Sequence, residues 1–394
     1  MGFGLYIHIP YCIQKCHYCD FTTFDLNHVV SMKQYSQLIM SELRSRAKAI
    51  NNKNVTSIYF GGGTPSLLPA EDILAIRNEI SAVGFNVAPD SEITIEINPG
   101  TVTPAKLDLY LESGVNRFSV GVQTFNDAYL KTCGREHSAN TSRETLRFLE
   151  KNMLNYSFDL LFGLPNQTQA ELLIDLNEML TFSPQHVSLY NLTVPMHHKM
   201  NARRAPDEEQ AEMFEIIEKH LTAAQIFRYE LSNFARPGHE SKHNQLYWSD
   251  APYWGLGVSA HSYTPSVGRW GTRYWNPTSY KEYIKQVSAD ATLTDPFAFL
   301  PARQIEHLKM NEALTDYCHT QLRMMRGLTI DLFEKKFGSE ARILLMAKAE
   351  KLIQKGLLLN TASGFCLSPS ALPIANQVFF EFTFLPEEIA FSTH

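Results

Sequence analysis

Six times in the first half of the chain, a short run rich in β-branched and aromatic residues is followed by a longer stretch with helical periodicity. Parallel strands cannot be joined by tight turns, so this alternation points to one parallel α/β sheet with right-handed helical crossovers. The runs at 5–8, 55–60, 92–95, 117–120, 158–161 and 187–190 are expected to be strands. Helices are expected near 32–49, 70–82, 104–113, 126–132, 140–152 and 169–180. Six units fall short of the eight that close a barrel, so the expected fold is a partial (βα)6 TIM-type barrel.

In such a fold the chemistry sits on loops beyond the C-terminal ends of the strands. The unusual residues cluster there. Cys12, Cys16 and Cys19 follow the first strand, and Gly61-Gly62-Gly63-Thr64-Pro65 follows the second. Glu96 and Asn98 follow the third, Gln123 the fourth, while Asp159 and Gly163-Leu164-Pro165 belong to the fifth. Three of six cysteines fall within eight residues, while Cys133, Cys318 and Cys366 are scattered, which argues against a disulfide framework. The spacing Cys-x3-Cys-x2-Cys suits soft thiolates converging on an iron–sulfur cluster; zinc is the rival. Zinc would need a fourth ligand, and His17 would be cramped between Cys16 and Cys19. The glycine run is neither a Walker loop nor a dinucleotide fingerprint, because no Gly-Lys-Ser/Thr follows it and Ser66 stands where a third spaced glycine would be.

Net charge is −6, without a basic stripe, so nucleic acid is not an expected partner. No apolar run reaches membrane-spanning length, and the N-terminus lacks a basic signal start and a myristoylation serine or threonine. A soluble cytoplasmic protein with no integral membrane segment is expected. Residues 1–225 are expected to form the barrel core. An aromatic-rich segment, 226–300, holds all four tryptophans and completes that core, and 301–394 forms a helix-rich, winged-helix-like C-terminal domain. In that last part Gly327 and Gly356 are placed to end helices, and 357–359 with 364–367 could pair as a hairpin.

The stretch from Tyr6 through Cys12, Cys16, Tyr18 and Cys19 to Phe21 resembles the opening of the radical SAM superfamily. More narrowly, it is similar to the branch containing oxygen-independent coproporphyrinogen III dehydrogenase and the heme chaperones of the HemW type. The likeness is specific over 4–165, moderate over 228–263 and loose beyond 300. It implies a [4Fe-4S] cluster on Cys12, Cys16 and Cys19, with S-adenosylmethionine on the remaining iron. By the same resemblance, Gly62, Gly63 and Thr64 meet the methionine end of that cofactor. Glu96, Gln123, Arg135 and Asp159 contact its nucleoside and carboxylate, with Tyr6 and Tyr18 in the same pocket. The chemistry is consistent, since carboxylates accept from ribose hydroxyls and a guanidinium grips a carboxylate. For any one of these residues an ordinary ion pair or helix cap is the alternative.

His243-Asn244-Gln245-Leu246-Tyr247-Trp248 matches the HNxxYW motif of the heme chaperones, and 229–235 also resembles them. That makes His243 a candidate haem ligand, against the plainer reading of a hydrogen-bonded core histidine. The resemblance implies a haem-binding radical SAM protein that delivers haem to haem-requiring apoproteins, with a homodimer as one option. The alternative is oxidative decarboxylation of coproporphyrinogen III. Phe21 disfavours it, standing where the dehydrogenases carry a further cysteine, and so do the eleven residues ahead of Cys12. A third reading keeps the cluster as a structural element or redox sensor.

Overall fold

A computed structural model of the chain describes residues 2–26, 31–287, 297 and 300–389; part of the 226–300 segment and the last five residues therefore lie outside the described residues. Six strands lie side by side and parallel: β1 (Phe3–Ile9), β2 (Asn54–Gly62), β3 (Asn86–Ile97), β4 (Arg117–Gln123), β5 (Tyr156–Phe162) and β6 (His186–Asn191). The helices between them are α1 (Met32–Arg46), α2 (Ala70–Ala82), α3 (Pro104–Glu112), α4 (Asp127–Cys133), α5 (Ala139–Lys151) and α6 (Gln169–Leu180). This is the expected partial barrel.

The sheet is wider than six strands. After α7 (Asp207–Ala223) come β7 (Phe227–Glu230) and β8 (Asn233–Ala235), which add antiparallel to β6. Beyond α8 (Lys242–Tyr247), β9 (Tyr253–Leu256) pairs parallel with β1, and β10 (His261–Thr264), β11 (Thr272–Trp275) and β12 (Ile305–His307) continue antiparallel. Among the described residues the order is β12-β11-β10-β9-β1-β2-β3-β4-β5-β6-β8-β7, so the sheet is open, with β12 and β7 as its edges.

Successive side chains in a strand point to opposite faces, and the two faces here differ in chemistry. Toward the helices point Leu5, Ile7 and Ile9, Ile58 and Phe60, Ile93, Ile95 and Ile97, Phe118 and Val120, Phe158 and Leu160, and Val187 and Leu189, all buried in one apolar core. On α2 the facing residues are Ile73, Ile76 and Ile80, spaced for one helix face and fully buried. Each such side chain contributes about 2 kcal/mol of hydrophobic burial. Toward the concave side point Tyr6 and His8, Ser57, Tyr59 and Gly61, Glu92, Thr94 and Glu96, Ser119, Gly121 and Gln123, Asp159, and Ser188 and Tyr190. A closed barrel usually fills its interior with Val, Ile and Leu. This interior is polar and leaves room.

Side-chain caps from Ser31, Thr103, Ser138 and Thr168 begin α1, α3, α5 and α6, and each accepts from a backbone N–H of the first turn. Under α1, the buried Glu42–Arg46 pair is closed by Asn276 and by Tyr283 of α9 (Tyr280–Val287). The C-terminal part has its own apolar core, built by α10 (Met310–Arg323), α11 (Ile330–Phe337), α12 (Ser339–Gln354) and a small sheet of Leu328–Thr329, Gly364–Leu367 and Leu358–Asn360. Gly356 follows α12 with a left-handed φ of +70°, as expected of a helix-ending glycine. Gly327 is instead in a turn beyond Met324, the residue that caps α10. No helix among the described residues is long and apolar enough to cross a membrane.

Candidate functional site

The loop after β1 carries the three clustered cysteines, all partly exposed and none in a disulfide. Its base is stitched to the end of β2: the Gly63 N–H donates to Ile9 O (2.8 Å) and the Thr64 N–H to Tyr11 O (2.7 Å). A Cβ on Gly63 would lie 2.7 Å from Tyr11 O and 3.0 Å from Cys12 Sγ, so only glycine allows this approach. The Thr64 hydroxyl points at Cys12 Sγ (3.9 Å) and accepts from the Asn98 amide (3.0 Å). His17, the candidate fourth zinc ligand, is held elsewhere, with its Nδ1 3.0 Å from Thr132 O at the end of α4.

Cys12, Cys16, Tyr18 and Cys19 open into one cavity of about 510 Å³. Gly62, Gly63, Thr64, Glu96, Gln123, Arg135 and Asp159 line the same cavity. Eleven of the expected residues are therefore gathered in one place. Three soft thiols sharing a cavity with two carboxylates and a guanidinium form a donor set suited to a thiophilic cluster next to a polar, zwitterionic ligand.

The position of several residues corrects the sequence expectation. Gly61, Gly62 and Glu96 are not in loops; they belong to β2 and β3, and Gln123 is the last residue of β4, while Asp159 lies in β5 within the expected strand. They reach the cavity because the concave face of the strands lines it. Gln123 has a left-handed φ of +69°, an uncommon conformation for a residue with a side chain and one found at ligand sites. Asp175 of α6 holds it there by accepting from the Thr124 hydroxyl (2.7 Å) and the Phe125 N–H (2.9 Å).

Glu96 accepts from the Tyr59 hydroxyl (2.8 Å) and the Gly62 N–H (3.0 Å), and burial pushes its carboxyl up to about 7. Asp159 accepts from Ser119 (3.2 Å), and burial raises it to about 6. Arg135 donates to Asn98 Oδ1 and Gly121 O, both at 2.8 Å, and to Cys16 Sγ at 3.5 Å. Its guanidinium thus touches the edge of the thiol cluster.

Two expected residues lie apart. Tyr6 does not face the cysteine cavity; it lines an adjoining one of about 520 Å³, because its register sets it beside Tyr59 and Gly255 on the β9 side. His243 lines that second cavity too, but both ring nitrogens are engaged: Nδ1 with Ser57 Oγ (2.8 Å) and Nε2 with the Tyr247 hydroxyl (2.9 Å). Its ring stacks on Tyr59 (5.0 Å between centroids), and burial pushes its pKa down to about 3. Here His243 is a buried, neutral, doubly bonded imidazole, and ligating iron would first require it to break one of those bonds. The two cavities meet at Phe21, Gly62, Glu96 and Tyr190. Sequence reasoning missed Tyr59, Ser119 and Tyr190. Their signal was available as polar residues at every second position, as in Arg117-x-Ser119-x-Gly121-x-Gln123 and His186-x-Ser188-x-Tyr190.

Residues 6–179 match the family model of the radical SAM superfamily, and 312–374 match the HemN C-terminal domain. Heme chaperone HemW of Bacillus subtilis (strain 168) is 34% identical over 384 residues, covering 95% of this chain and 97% of that protein. Heme chaperone HemW of Escherichia coli (strain K12) is 37% identical over 262 residues, 66% of this chain and 69% of that one. The solved structure of the radical SAM enzyme coproporphyrinogen III oxidase (HemN) from Escherichia coli superposes with a TM-score of 0.80 at 21% identity, covering 97% of this chain and 90% of that one. At that identity the likeness speaks for the fold.

Proposed function

The chain belongs to the HemW group of the radical SAM superfamily, and from that premise we propose that it binds haem and delivers it to haem-requiring apoproteins. A [4Fe-4S] cluster and S-adenosylmethionine go with the superfamily. The residues present fit that pair. In this proposal Cys12, Cys16 and Cys19 would hold three irons, and Gly62, Gly63 and Thr64, which line the same cavity, would meet the methionine end of the cofactor. Arg135 would pair with the cofactor carboxylate, while Glu96 and Asp159 would accept from the ribose hydroxyls. Gln123, Gly62, Thr64 and Tyr18 complete the wall. When bound, cluster and cofactor supply one-electron reduction of a sulfonium.

The observation that carries the haem reading is likeness to heme chaperones along nearly the whole chain rather than over the barrel alone. The second cavity supports it. Tyr6, Tyr59, Tyr247 and Tyr253 give it flat aromatic walls, the HNxxYW segment forms one side, and it adjoins the cofactor cavity. Anaerobic reconstitution with iron and sulfide, followed by titration with haemin and observation of the Soret band, tests both parts. The expected result is four irons per chain, lost when the three cysteines are replaced, together with saturable haemin binding. Conversion of coproporphyrinogen III to protoporphyrinogen IX by the same sample would replace the chaperone reading with the decarboxylating one.

A further inference from the structure

Haem iron takes a neutral imidazole through an unshared ring nitrogen, so a histidine whose nitrogens are both hydrogen-bonded is a poor ligand. Three histidines line the aromatic cavity: His8, His243 and His261. His8 is committed on both sides, Nδ1 to the Tyr6 hydroxyl at 3.0 Å and Nε2 to Thr22 O at 2.8 Å. His243 is committed likewise to Ser57 and Tyr247. His261 differs, since neither ring nitrogen has a hydrogen-bond partner among the described residues.

The ring of His261 is nevertheless positioned. It begins β10, pairs in register with Trp275 of β11, and stacks on that indole with centroids 5.7 Å apart and planes 20° from parallel. The strand that carries it is drawn tightly against β9, because a Cβ on Gly255 would lie only 2.2 Å from His261 O. The side chain is exposed at the mouth of the cavity rather than sealed within it. Partial burial and the Arg273 charge also lower its proton affinity, which keeps the lone pair available at neutral pH.

We infer that His261 is the axial ligand through which this cavity holds haem iron, with the porphyrin lying against the tyrosine walls. The inference rests on the haem-carrying reading above and assigns its contact to a residue outside the HNxxYW motif. Among the described residues the cavity wall contains Asp20 and Glu96 but no lysine or arginine. The porphyrin carboxylates are therefore directed outward to solvent, and no cation clamps them. One ligand at the rim and no carboxylate clamp suit a cargo that must leave.

The test is titration of the full chain with haemin, read by the Soret band and by the electron paramagnetic resonance of the ferric iron. In His261→Ala the histidine-ligated signature is expected to disappear and affinity to fall by about tenfold or more, equivalent to roughly 1.4 kcal/mol. Added imidazole is expected to restore the signature in that variant. Because the side chain is exposed, His261→Ala and His261→Gln are both expected to fold and to keep the wild-type iron–sulfur content. Unchanged spectra and affinity in both variants, with haemin still bound saturably, would overturn this assignment alone. A wild-type chain that binds no haemin overturns the haem-carrying reading together with it.

Discussion

Glu96 allows the electrostatics of the site to be tested without any cofactor. Its carboxyl is buried between β2 and β4, and burial lifts its pKa from the usual 4.5 to about 7. A carboxylate with a raised folded-state pKa is better tolerated when protonated, so folding is favoured below about pH 4.5 and that advantage fades as the pH rises through about 7. The interval is about 2.5 pH units at about 1.4 kcal/mol each, so ionised Glu96 costs the apoprotein about 3 kcal/mol above pH 7. Glu96→Gln keeps the shape, with its amide oxygen accepting from the Gly62 N–H and its NH2 turned to the Tyr59 hydroxyl oxygen, but it has no proton to lose. Urea unfolding of cofactor-free wild type and variant from pH 5 to pH 8 is the assay. The wild type is expected to lose up to about 3 kcal/mol relative to the variant across that range, with most of the change between pH 5 and 7. Parallel pH profiles for the two proteins would refute the reasoning, because they would mean that Glu96 ionises as readily in the folded chain as in the unfolded one.

Other outcomes follow from single contacts. Glu42→Ala removes the partner of a fully buried Arg46, along with acceptors for Asn276, Tyr283 and the Gly257 N–H, and is expected to cost about 3–5 kcal/mol in urea unfolding. Gly63→Ala forces a methyl against Tyr11 O and Cys12 Sγ, so reconstituted samples are expected to hold less iron and sulfide while far-ultraviolet circular dichroism stays unchanged. Thr168→Ala breaks the capping box with Glu171 and is expected to lower stability by about 1 kcal/mol. The Glu171 carboxyl, held low chiefly by the Thr168 N–H, stabilises the fold above its ordinary pKa and that part is lost on acidification; since Thr168→Ala keeps this backbone donor, the variant should retain most of the acid sensitivity.

Much of the first half was legible because its signals are local. The isoleucine spacing of 73, 76 and 80 marks one helix face, and α2 spans the expected residues. The three cysteines announce themselves by crowding. The flanking strands were not legible: β9 joins β1 across some 250 residues of chain, and nothing near Tyr253 says which edge it will meet. Glu96 lies inside β3 rather than beyond it as expected, because a short apolar core such as Ile93 to Ile97 shows that a strand exists better than where it stops. Tyr6 lines the adjoining cavity instead of the cysteine one for a related reason. Alternation says which face a side chain takes, whereas the register with neighbouring strands decides which part of that face.

The pairing of β1 with β9 has a consequence for how the protein is made. The cysteine loop leaves the ribosome some 240 residues ahead of the strand that flanks its supporting strand, which begins at Tyr253. Until then one edge of β1 lacks its neighbour, and the nascent thiols sit beside an incomplete sheet. Metal loading is thereby expected to be a post-translational event, and chains truncated before β9 should take up iron poorly even though every cysteine is present.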